Sequence, residues 1–169
     1  MVDKIEMSKK MKLVKMDEVD ISTDDKPIIG TFALATCVGV LLYCEEKKKA
    51  IVAHVSSEWQ STIYKIIDLI FENGMENSII KYKIIPGNYY NNYQIKEKLE
   101  EVCASLHPMF VPFSEKEIPD NAIEVDEVTS SHQFAFDSLT GKFVSDKVLY
   151  GKEYFDVCDL NRVPSGNSR

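Results

Sequence analysis

The chain has 169 residues, 28% charged and 44% apolar, the composition of one globular domain large enough to bury a core. A net charge of −7 argues against a nucleic-acid partner, which calls for a basic face, and no run approaches the roughly 18 apolar residues of a membrane helix. The N-terminal lysines lack the following apolar core of a secretory signal, and the four cysteines (Cys37, Cys44, Cys103 and Cys158) show no CxxC pairing, so a cytoplasmic location with free thiols, no metal and no cofactor is expected.

In chain order, residues 1–11 read as a flexible N-terminus, 12–150 as a single domain and 151–169 as a partly disordered C-terminal extension. Alternation over 11–19 predicts a first strand, followed by an acidic loop over 20–26 that ends at Pro27. Residues 28–34 read as a strand, and 38–43 with 50–55 as a hairpin around the charged turn 45–49. Residues 58–73 predict a helix: Trp59, Ile63, Ile66, Ile67 and Ile70 recur at helical spacing, Ser56 or Ser57 offers a cap, and Gly74 suits the left-handed end. A strand over 78–85 stops at Pro86 and Gly87. The polar–aromatic loop 88–93 reads either as a partner-binding segment or as a connector. A second helix over 93–106 places Cys103 on its buried face, with His107 at its end. Short strands over 108–113 and 122–128 precede a late hairpin, 131–136 with 142–150. In the extension, 154–160 is readable as an added strand and 162–169 as disordered. Hairpins and helical crossovers together predict an α+β architecture, two helices against layered or mixed sheets.

Two residues of the central hairpin stand out. Cys37 follows the small residues Ala33, Ala35 and Thr36, and His54 lies on the returning strand. A hairpin brings such positions together, and a cysteine beside a histidine is the minimal machinery of thiol catalysis, the imidazole taking the thiol proton. The alternative is plain: cysteine is a commonly buried small hydrophobe, and a strand histidine is often only hydrogen-bonded structure. Cys44 is the rival thiol, but nothing sets a histidine against it. Trp59, five residues after His54, is a candidate for the site entrance or else core, and His132 is a candidate for the pocket or else a turn residue.

The pattern Thr31-x-x-x-x-Thr36-Cys37-Val38-Gly39-Val40, then Leu42-Tyr43, a polar turn and Ala53-His54-Val55, resembles the chemoreceptor glutamine deamidase family, CheD. The resemblance extends over residues 12–146, through 13–19 (LVKMDEV), 81–87 (KYKIIPG) and 134–141 (FAFDSLTG). It implies a layered α/β/β sandwich whose central hairpin carries the site, with both helices on one side. It also implies a protein-glutamine deamidase with Cys37 as nucleophile, His54 as base and Thr31 as its orienting partner. Backbone N–H groups at Thr36 and Cys37 would serve the oxyanion. Cys and His alone leave deamidase, protease and transglutaminase open. The implied partners are a protein substrate, such as a chemoreceptor helix or another signalling protein, and a regulatory phosphatase-type protein.

The family's glycines before the nucleophile are Ala33 and Ala35 here. Its glycines before the Ala-His pair are replaced by Ala50, Ile51 and Val52, and a later glycine-rich stretch by 128–132 (VTSSH). Glycine allows close backbone approach, so these changes bear on the substrate groove. Two other readings therefore stand: a binding module on the same scaffold, and a deamidase aimed at a host or effector-type target.

Overall fold

The computed structural model describes residues 9–57, 59–88, 93–105, 109–125 and 130–144. Sequence readings at His107, at 89–92, over 126–129 and from 145 onward, including Cys158 and the added strand, lie outside the described residues.

Among the described residues ten strands form two mixed sheets, with two helices covering one face, as the sequence led us to expect. One five-stranded sheet, here the middle sheet, has the order β2 (Val19–Ile21), β5 (Lys49–Val55), β4 (Val38–Cys44), β6 (Ile80–Pro86), β7 (Phe110–Pro112). The other, the outer sheet, runs β1 (Met11–Val14), β3 (Ile28–Leu34), β9 (His132–Asp137), β10 (Lys142–Phe143), with β8 (Glu124–Val125) against the start of β9. Two pairs are parallel, β1 with β3 and β6 with β7; the rest are antiparallel.

Strands β4 and β5 are buried on both faces, which is why they read as continuous apolar runs. Alternate residues face opposite ways. Val38, Val40, Leu42 and Cys44, with Ile51, Ala53 and Val55, meet helix α1 (Trp59–Glu72) and helix α2 (Tyr93–Ser105) through Ile66, Ile70, Leu99 and Cys103. Leu41, Tyr43, Ala50 and Val52 face the outer sheet and pack on Ile29, Leu34, Phe134 and Phe136. The resulting order is helices, middle sheet, outer sheet. Gly74 takes φ +66° after α1, and Met75 N–H bonds the Ile70 carbonyl at 2.9 Å, closing the helix. Among the described residues no helix is long and apolar enough to cross a membrane.

The expected first strand over 11–19 is corrected to two strands in different sheets. Asp17, at φ +64°, turns the chain between them, so Val14 ends in the outer sheet and Val19 begins in the middle one. A second crossing follows at 35–37, between β3 and β4. Both crossings occur at the same end of the sandwich. The Asp17 N–H donates to the His54 carbonyl at 2.8 Å, and the His54 N–H donates to the Glu18 carbonyl at 3.1 Å.

Candidate active site

The site lies between the sheets where the chain crosses from one to the other. On β5, His54 pairs in register with Gly39 of β4. Its alternation with Ala50 and Val52 sends the imidazole toward the outer sheet. Cys37 stands two residues before Gly39 and belongs to the same interlayer cluster as Leu41 and Tyr43. Thr31 comes from the opposite layer, on β3, paired with Val14 and Phe134. Thr31, Cys37 and His54 are all buried.

Thr31 Oγ1 is 2.7 Å from His54 Nδ1 and also 2.7 Å from the Val14 carbonyl oxygen. A hydroxyl has one hydrogen and a carbonyl can only accept, so Thr31 donates to Val14 and accepts from Nδ1–H. The neutral imidazole is thereby held as the Nδ1–H tautomer, leaving the Nε2 lone pair as a proton acceptor.

Burial pushes the Cys37 thiol above its usual range; a hydrogen bond from the Thr36 side chain acts the other way, and the Asp17 carboxylate adds to the rise. Burial also lowers the His54 pKa from 6.5 to about 4, against an opposing pull from Asp17 and Glu18. At neutral pH the thiol and the imidazole are therefore both uncharged. A neutral thiol acts as a nucleophile only if its proton is removed as it attacks.

Asp17, which sequence reading passed over as part of a strand, thus lies near both groups, its Oδ1 accepting from Ser56 Oγ at 2.5 Å. Its signal, one aspartate within an alternating stretch, is indistinguishable from ordinary surface polarity. That bond also occupies Ser56, one of the two residues offered as the cap of α1.

The other sequence candidates are placed as follows. Thr36 is exposed on the bend above the thiol. His132 opens β9 opposite Leu34, with Nδ1 2.8 Å from the Pro86 carbonyl oxygen. Trp59 packs into the cluster between the helices and the middle sheet, on the far side of that sheet from the His54 ring. Cys44 and Cys103 are buried free thiols in that same helix-side cluster.

Ala33, exposed at the bulge that shifts the β3–β9 register between Thr31 and Leu34, has φ +61°. This is a left-handed conformation that costs an L-residue roughly 1–2 kcal/mol. Gly87 lies hard against the bend: a Cβ there would stand 2.1 Å from the Ala35 carbonyl oxygen and 2.7 Å from that of Cys37. Among the described residues no group of three or more His, Cys, Asp or Glu side chains could hold a metal ion.

No family model matches the chain, and no curated protein matches it.

Proposed function

We propose that the chain is a cysteine-dependent protein-glutamine deamidase resembling the chemoreceptor deamidases, with Cys37 as nucleophile, His54 as proton shuttle and Thr31 as the residue that orients it. The observation that carries the reading is the Thr31–His54 hydrogen bond across the two layers, which leaves Nε2 free as a base on the face that Cys37 shares.

The chemistry follows from those roles. Cys37 Sγ attacks the carboxamide carbon of a glutamine side chain while its proton passes to His54 Nε2. The negative charge on the carboxamide oxygen is met by backbone N–H groups at Thr36 and Cys37, a donor of this kind being worth roughly 3 kcal/mol. The C–N bond then breaks as Nε2–H protonates the departing nitrogen, which leaves as ammonia. Water, deprotonated by Nε2, attacks the thioester; the C–S bond breaks and the proton returns to sulfur, giving glutamate and the free thiol. A reducing cytoplasm, which keeps Cys37 a thiol, is the setting this requires. The protein target would be a receptor-like helix or another signalling protein, with a phosphatase-type regulator as a further partner.

The test is incubation of the full chain with glutamine-bearing helical peptides, reading ammonia release and the amide-to-acid mass increment. Cys37→Ala should abolish both, and His54→Ala should slow them about 10²–10⁴-fold. Burial of the thiol, with its raised pKa, favours a second reading, a binding module that keeps the scaffold without turnover. Absence of ammonia across peptides and intact receptor domains, with the fold intact, would favour that module.

A further inference from the structure

We propose that His132 is a positioning residue for the Cys37 bend, acting through Pro86 and Gly87 of the neighbouring strand. The inference rests on Cys37 being the working thiol of the proposed site and adds what holds it in place. His132 stands opposite Leu34, the last residue of β3, and Pro86 ends β6 opposite Val38, the first residue of β4. The His132 Nδ1 to Pro86 oxygen distance is 2.8 Å; because a carbonyl only accepts, Nδ1 carries the hydrogen. This bond joins the outer sheet to the middle sheet at the point where residues 35–37 make the same crossing.

Gly87 follows Pro86 directly and touches the crossing from below. With no side chain, its Cα–H side meets the Ala35 and Cys37 carbonyl oxygens, space in which no Cβ fits. Turning the Ala35 oxygen toward Gly87 turns the Thr36 N–H of the same planar peptide the other way. His132 thus fixes Pro86, Pro86 fixes Gly87, and Gly87 sets the direction of the bend that carries both the thiol and one oxyanion donor.

The experiment is alkylation by iodoacetamide across a pH series on the full chain, resolved by cysteine with mass spectrometry, using Cys44 and Cys103 as internal references. His132→Asn keeps an N–H donor near the Nδ1 position; His132→Leu fills the volume without a donor, and His132→Ala is a second donor-free variant. In the Leu and Ala variants Cys37 should gain water and alkylate about tenfold faster at neutral pH, as for a one-unit fall in thiol pKa. Cys44 and Cys103 should keep their rates, and the Asn variant should follow the wild type. The proposal is overturned if the donor-free variants match the wild type, if Cys44 and Cys103 accelerate equally with Cys37, or if Asn behaves as Leu does. The readout is thiol chemistry and not turnover, so its failure leaves the deamidase reading standing; failure of that reading appears as missing ammonia with the alkylation pattern intact.

Discussion

The His54 imidazole couples burial to pH. Its folded pKa of about 4 lies below the ordinary 6.5, so between those values the unfolded chain takes up a proton that the folded chain refuses. Stability is therefore full above the upper value and declines as pH falls through the window, by about 3 kcal/mol in all. Urea titrations from neutral pH down to about 4 should show this loss, and His54→Gln should flatten it. At Thr31 the expectation concerns the tautomer. Thr31→Val removes the acceptor of Nδ1–H and leaves the Val14 carbonyl without its hydroxyl donor, so it should cost about 1–3 kcal/mol. Long-range proton–nitrogen spectra of the imidazole should show the Nδ1–H form in the wild type and in Thr31→Ser, and a mixture in Thr31→Val. An unchanged spectrum in the valine variant would refute the assignment.

At the scale of elements, the bulge near the end of β3 carries backbone strain, and the bend that follows it packs closely on Gly87. Ala33→Gly should relieve the left-handed backbone and, after the extra freedom of the unfolded glycine, raise stability by about 1 kcal/mol. Gly87→Ala should do the reverse, costing about 1–3 kcal/mol because the backbone must shift to admit the methyl group. Chemical denaturation of both variants checks the pair. The elements themselves were legible where the pattern was long: α1 is observed at Trp59–Glu72 against an expected 58–73, and the β4–β5 hairpin lies where its apolar runs put it. Short β2 was not, because the turn at Asp17 carries no glycine or proline to announce a break, and alternation continues across it. Cys37 and His54 stood out by residue type and position on the hairpin, whereas Thr31 was named only through the family resemblance. The Pro86–Gly87 support did not stand out, because proline–glycine after a strand reads as a simple stop and only tertiary contact reveals what it touches.

For the whole molecule, cohesion between the layers rests on an aromatic cluster. The Tyr43 ring meets that of Phe136 edge-on at 4.8 Å, and Phe136 meets Phe143 at 5.3 Å. The Tyr43 hydroxyl crosses from the middle sheet to donate to the Ser138 carbonyl at 2.9 Å, in the turn between β9 and β10. Tyr43→Phe should cost about 1 kcal/mol. Burial pushes the Tyr43 pKa from 10.0 up to about 12, so the unfolded chain ionises first and stability should fall as pH rises through that interval, a fall absent in Tyr43→Phe. Alkaline denaturation followed by tyrosinate absorbance measures both.

The Val14 carbonyl that takes the Thr31 hydrogen belongs to β1, which among the described residues is an edge strand paired with β3 alone. Without the Val14 carbonyl the Thr31 hydroxyl would be free to donate to Nδ1, moving the imidazole hydrogen to Nε2 and occupying the lone pair there. The place of one imidazole hydrogen therefore depends on an edge strand some forty residues away in the chain.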